Sequence, residues 1–181
     1  MIEIRVALRD DADQIAAAHI EGWRVGYRDL LPPEFLQSDE FAQVRLDRWR
    51  LWTWPSPGSE MYVAVVDGRV VGFGHAGPER RDDRLDDEAT SRGEVFGFYL
   101  HPDAWGSGAA DQLMATCADF LIGLGFTEAV LWVLRDNPRA RGFYERAGWS
   151  FNGCEAMFGG PQVMGTMPGE LAEVQYGIRF R

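Results

Sequence analysis

One carboxylate stands out for its company. Residues 94–100 read EVFGFYL, and Glu94 is the sole acid in a run otherwise aromatic, aliphatic or glycine. Strand side chains alternate faces, so a period of two sets Glu94 beside Phe96, Phe98 and Leu100. An acid on an apolar face could take a proton from a substrate. It could equally be a frayed strand end turned to solvent. Just beyond, His101-Pro102-Asp103 stops the strand, and Gly106-Ser107-Gly108 leads into a segment where Leu113, Met114, Cys117, Phe120, Leu121 and Leu124 recur at helical spacing. The first turn of a helix carries unpaired N–H groups and the positive end of the helix dipole, and small residues let a phosphate approach the backbone. A strand, a small-residue turn and a helix start thus make an anion site, with chemistry where the turn meets the strand end. Any βα unit with a glycine-rich turn has the same form, so Gly-x-Gly by itself does not decide.

The rest of the chain supplies the framework. Residues 2–8 alternate as a strand, and Asp11 with Gln14 three residues later has the form of a capping box opening a helix. Ile15, Ala18, His19 and Trp23 then fall on its core face. His19 has no second ligand at metal spacing, which favours a packed histidine. Pro32-Pro33 separates this helix from the next elements, and Phe41, Val44, Arg45, Arg48, Trp49 and Trp52 fit a further helix ended by Trp54-Pro55-Ser56-Pro57-Gly58. Residues 61–66 and 69–74 are strands joined by Asp67-Gly68, a strong hairpin signal. His75 follows, near a cleft or at a solvent-facing strand end. Residues 78–92 are polar and mixed in charge, as in an exposed loop. Gly125 is placed to cap the helix after the glycine turn. Residues 128–134 read as a strand, Asn137-Pro138 as a helix start, 149–157 as a strand, 159–169 as a loop and 172–180 as the last strand.

Composition narrows the function. A chain of 181 residues with 46% hydrophobic content suits one globular domain spanning 1–181, with a substantial core. No apolar run is long enough to span a bilayer, and the N-terminus lacks a signal-peptide layout. The two cysteines, Cys117 and Cys154, are too isolated for a disulfide framework or metal cluster. These points favour the cytoplasm. A net charge of −10 disfavours nucleic acid or an anionic membrane as a whole-surface partner.

The stretch from the strand through the glycine turn resembles motif A of the GCN5-related N-acetyltransferase (GNAT) superfamily, x-P-x-x-[RQ]-x-x-G-x-[GA] between a strand and a helix. Gly108 and Ala110 match its last positions, and Trp105 stands where Arg or Gln is usual, in an HPDxWG form similar to one bacterial branch. Residues 131–149, LWVLRDNPRARGFYERAGW, resemble motif B at Asn137, Ala140, Phe143, Tyr144, Gly148 and Trp149. Residues 23–31, WRVGYRDLL, are similar to an SWRxxYRGLLP segment of that branch. The resemblance implies a mixed, mostly antiparallel α/β sheet of about seven strands flanked by helices, with the fourth and fifth strands splayed. It also implies acetyl transfer from acetyl-CoA to a primary amine by direct attack in a ternary complex, without a metal.

That reaction sets tasks for named residues. An alkylammonium, with a pKa near about 10, must lose a proton, and the resemblance points to Glu94 as base, directly or through water. Oxyanion and pantetheine contacts fall to the backbone of Phe98, Tyr99 and Leu100. Tyr144, at the superfamily's general-acid position, would serve the leaving thiolate; Phe143 packs the helix on the sheet, and the same packing is the alternative role for Tyr144. The pyrophosphate would rest on the amides of Gly106, Ser107, Gly108, Ala109, Ala110 and Asp111, beside Trp105. Many members carry Arg or Lys near Ser107 and at Asp111, and the loss of that charge could weaken phosphate binding. Asn137, Arg139 and Arg141 are further candidates for coenzyme A contacts. Trp23, Tyr27, Phe96 and Trp132 are candidate acceptor-cleft residues, or core aromatics. Aromatic walls above a carboxylate suit a small-molecule amine with an apolar or cationic body. A homodimer is left open. Rival readings are a different acyl group, a protein or peptide acceptor, or a non-catalytic acyl-CoA-binding sensor module.

Overall fold

Asp67 and Gly68 both take positive φ (50° and 79°), the geometry of a two-residue hairpin turn. The computed structural model describes residues 1–51, 58–80, 91–158 and 171–180. Trp52, the helix stop at 54–57, most of the polar loop and the loop at 159–169 lie outside the described residues. The hairpin joins β2 (Glu60–Val66) to β3 (Arg69–Pro78). β1 (Ile2–Val6) pairs with β2, and β4 (Gly93–Leu100) with the far edge of β3, all antiparallel. β5 (Glu128–Leu134) runs parallel to β4, and β7 (Leu171–Arg179) lies antiparallel between β5 and β6 (Ser150–Phe158). The seven-stranded order is β1-β2-β3-β4-β5-β7-β6, the expected mixed and mostly antiparallel sheet. Pairing between β4 and β5 runs only from Gly93↔Ala129 to Val95↔Leu131, and beyond Val95 the strands part.

Two helical layers cover the sheet. On one face α1 (Ala12–Gly26), α2 (Pro33–Leu36) and α3 (Asp39–Leu51) bury Ile15, Trp23, Leu36, Phe41 and Trp49 against Val63 and Phe73. On the other, α4 (Ala109–Gly123) and α5 (Pro138–Arg146) bury Met114, Cys117, Leu121 and Tyr144 against Val95, Leu131 and Val133. Each large apolar side chain so buried contributes roughly 1.5–3 kcal/mol. Gly125, at φ 91°, ends α4 as expected, with the Phe126 amide bonded back to the Leu121 carbonyl at 3.2 Å.

The capping box at Asp11 and Gln14 does not form. Asp11 closes a 3-10 turn (Arg9–Asp11), where its carboxylate accepts the Leu8 amide at 2.7 Å and both Arg5 guanidinium nitrogens at 2.6 and 2.8 Å. Gln14 instead accepts the Val70 amide at 2.9 Å, tying α1 to β3. A long-range acceptor and a charged partner outcompeted the local pair.

A β-bulge changes which residues share a face. Across β3 and β4, His75 pairs with Gly97 and Ala76 with Val95, so Phe96 has no partner of its own. Cross-strand partners point the same way, and His75 and Ala76 point opposite ways. Val95, Phe98 and Leu100 therefore face α4, while Glu94, Gly97 and Tyr99 face α1. The strict period of two placed Glu94 with Phe98 and Leu100; the extra residue reverses that assignment.

Candidate active site

A cavity of about 1000 Å³ opens where β4 and β5 part, and its lining comes from both faces of the sheet. The α4 side is built mainly from backbone. Gly106 and Gly108 take φ of 76° and 88°, and a Cβ on either would meet nothing within 4 Å. Glycine is needed there for conformation, and the space above stays open to a ligand. Not all six expected amides are available. The Ser107 amide donates to the Ala104 carbonyl at 3.3 Å, and the Ala109 amide to the Ser107 hydroxyl at 3.2 Å. Ala109 is fully buried against the sheet and does not line the cavity. Among the described residues the amides of Gly106, Gly108, Ala110 and Asp111 have no protein acceptor. These donors at a helix start suit a phosphate.

α5 completes this side. The Asn137 side chain accepts the Ala140 amide at 3.1 Å and Pro138 occupies the first helical position, which fixes Asn137 at the cavity wall. The Arg139 guanidinium lies 3.7 Å from the Trp105 ring centre, and the Trp105 indole donates to the Leu100 carbonyl at 3.3 Å. Arg139 thereby brings to this wall the positive charge that Ser107 and Asp111 lack. Arg141 is turned away from the cavity: it donates to the Tyr176 hydroxyl at 3.0 Å and the Arg135 carbonyl at 2.9 Å, so the expectation that it meets coenzyme A is corrected. Tyr144 is buried among Phe98, Phe143 and Tyr176, and its hydroxyl makes no hydrogen bond to a described residue. Burial pushes this phenol well above the usual tyrosine range, so it is protonated at neutral pH.

The α1 side is built from side chains. Glu94, Phe96, Tyr99, Tyr27 and Trp132 all line it. Trp23 does not. It is 0% exposed, edge-on to Tyr27 at 4.5 Å and beneath the Arg45 guanidinium at 4.5 Å, so it is a core residue that supports the wall. Helical spacing marks the inward face but cannot separate core from cavity wall. Glu94 is 5% exposed, and its carboxylate accepts the Arg80 amide at 2.8 Å and lies 3.5 Å from the Arg80 guanidinium. Burial raises its pKa, and these Arg80 contacts pull the other way. His75, within β3, faces the cavity beside Phe96 at 4.7 Å and meets the Ser59 hydroxyl at 3.1 Å; burial holds it down at about 4, hence neutral.

Sequence reading missed Glu173 on β7, which lines the same cavity, its pKa pushed up to about 7 by burial and by Glu94. A signal existed. Alternation on β7 sets Glu173 and Gln175 on one face, opposite Val174 and Tyr176, and pairing with Leu134 and Trp132 of β5 carries that face to the cavity. The buried Arg45, with Arg48 and Arg146, also lines the cavity unforeseen.

The acetyltransferase (GNAT) family pattern matches residues 24–149, from the end of α1 to the residue before β6. The chain belongs to this family. The acetyltransferase is similar to the uncharacterized N-acetyltransferase YuaI of Bacillus subtilis, 30% identical over 139 residues covering 76% of this chain and 75% of that one. It is also similar to an uncharacterized N-acetyltransferase of Mycobacterium tuberculosis, 33% identical over 147 residues covering 79% and 85%. Among solved structures, the PaiA N-acetyltransferase of Thermoplasma acidophilum in complex with coenzyme A superposes with a TM-score of 0.74 over 99% of both chains at 15% identity, a likeness of fold. The enzyme is thus an acetyl-CoA-dependent N-acetyltransferase, and the phosphate-suited amides at α4 fit coenzyme A. Among the described residues no helix is long and apolar enough to cross a membrane.

Proposed function

We propose that the acetyltransferase modifies the primary amine of a small molecule in the cytoplasm, by direct attack with donor and acceptor bound together. One observation carries this reading: a single cavity joins the backbone cradle at α4 to an acid-bearing aromatic chamber at α1 through the gap between β4 and β5. Acetyl-CoA supplies the activated acetyl thioester. The amides of Gly106, Gly108, Ala110 and Asp111, with Arg139 and Asn137, hold the nucleotide end. The part of β4 freed from β5, at Phe98, Tyr99 and Leu100, offers backbone groups to the arm and the reacting carbonyl. Tyr144 remains protonated and donates to the sulfur that departs.

On the other side, Tyr27, Phe96, Tyr99 and Trp132 enclose the body of the amine, with the Glu94 carboxyl below them. Aromatic faces and acids attract a cation, and a net charge of −10 draws one in at low salt. Neither nucleic acid nor membrane lipid is the acceptor in this reading. Thioester turnover against a panel of small primary amines, peptide N-termini and protein lysines tests it. Turnover concentrated on small amines, with a raised KM in Trp132→Ala and unaltered acetyl-CoA affinity, is the expected result. Activity confined to peptides or proteins, or coenzyme A binding without any turnover, would refute it.

A further inference from the structure

Two acids share the acceptor chamber, and their surroundings differ. Glu94 is already engaged, accepting the Arg80 backbone amide at 2.8 Å with the Arg80 guanidinium 3.5 Å away. The Glu173 carboxyl makes no hydrogen bond or ion pair with any described residue, yet Glu173 lines the same cavity. It sits opposite Leu134 in the β5–β7 register, on the face that Trp132 and Val130 share, and Val130 pairs with Glu94. The two carboxyls thus approach one chamber from strands on either side of β5. We propose that Glu173 is the group that receives the acceptor ammonium and takes its proton, while Glu94 anchors the chain at Arg80 and adds negative charge. This rests on the amine-acetylation reading above.

Protons balance on this assignment. The ammonium gives one proton to Glu173, which passes it to solvent. The neutral nitrogen bonds to the thioester carbon and the carbon–sulfur bond breaks. The nitrogen loses a second proton, Tyr144 supplies one to sulfur, and the second proton restores Tyr144 through solvent. One proton is released per turnover. The ionisable groups facing Glu173 are Glu94 on β4 and the phenols of Tyr99 on β4 and Tyr27 at the end of α1; lining the same cavity are also His19 of α1, Arg45 and Arg48 of α3, His75 of β3, Arg80, and Tyr144 and Arg146 of α5. Burial and Glu94 put the Glu173 carboxyl at about 7, where a base works near neutrality. His75, at about 4, gives up its proton well below that range.

The test is the pH dependence of kcat/KM for benzylamine. The wild-type rate should rise with pH through an acid limb near 7, because the carboxyl must be ionised to accept the proton. Glu173→Gln should abolish that limb and cut kcat/KM by roughly 100-fold, leaving acetyl-CoA affinity by calorimetry unchanged, and Glu173→Asp should restore the limb in part. Glu94→Gln should lower the rate and keep the limb, moved to lower pH because a neighbouring negative charge that raises the Glu173 carboxyl is gone. A Glu173→Gln enzyme with the wild-type rate and profile overturns the proposal while the acetylation reading stands. If the wild type acetylates no amine, that reading fails by itself, and carbon-13 NMR of labelled glutamate decides the site without turnover or a folded variant. A Glu173 carboxyl whose titration shifts when benzylamine is added upholds the assignment; one indifferent to the amine overturns it.

Discussion

The two sides of the cavity solve their problems with different materials. The α4 side offers main-chain groups from one contiguous stretch, Gly106 to Asp111, and the capped start of α5 at Asn137. The α1 side is assembled from side chains on α1, α3, β3, β4, β5 and β7, several of them titratable and shifted by burial. Backbone recognition tolerates change in side-chain identity and demands conformation. Side-chain recognition tolerates shifts of backbone and demands chemistry. Substitutions on the two sides should therefore fail in different ways.

The largest effect is expected at Gly108. A branched side chain there would occupy the open space above the cradle and strain a φ of 88°. Gly108→Val should abolish measurable acetyl-CoA binding by calorimetry while circular dichroism stays native, with Gly108→Ala as the milder case. Undiminished binding in a folded variant would break the backbone half of the comparison. Next is Trp23→Ala, which should behave as a core deletion, costing about 3–5 kcal/mol in urea unfolding. A stable variant changed only in amine KM would return Trp23 to the cleft. Tyr144→Phe removes one hydroxyl from the meeting point of the two sides. It should lower kcat by roughly 10–1,000-fold, with acetyl-CoA affinity little changed; full activity would leave Tyr144 a packing residue. The smallest effect belongs to Arg139→Gln. This exposed guanidinium should raise the dissociation constant for acetyl-CoA by about 2–5-fold at low salt, of the order of an exposed ionic contact, and by less at high salt. A salt-independent change would show that its stacking on Trp105 matters more than its charge.

The same contrast explains what the sequence could reveal. The sheet, the helices, the Asp67-Gly68 turn, the Asn137 cap and the Gly106–Gly108 turn are encoded locally, so each was legible. Even there, competition within the turn was hidden: the Ser107 hydroxyl takes the Ala109 amide, which no pattern announces. The α1 side depends on long-range register. A single unpaired residue, Phe96, reverses the face of Glu94, and Glu173 reaches the chamber only because β7 inserts beside β5 rather than beyond β6. Arg141 reads from the sequence as a candidate coenzyme A contact, but the Tyr176 hydroxyl 35 positions along the chain holds it. Trp23 has the right type and spacing for a wall, and only three-dimensional packing shows that Tyr27 stands in front of it.

The parting of β4 and β5 carries a consequence for inhibition. On the proposed reading, donor and acceptor enter from opposite faces of the sheet and meet at the passage where β4 and β5 part, so neither blocks the other's route. A compound joining an amine to coenzyme A through a short tether would be gripped on both sides at once. The second grip would then be intramolecular, at an effective concentration in the millimolar range for a tether that matches the span. Tether length would read out the thickness of that passage, and an optimum only a few atoms wide would distinguish a through-sheet route from two pockets sharing one mouth.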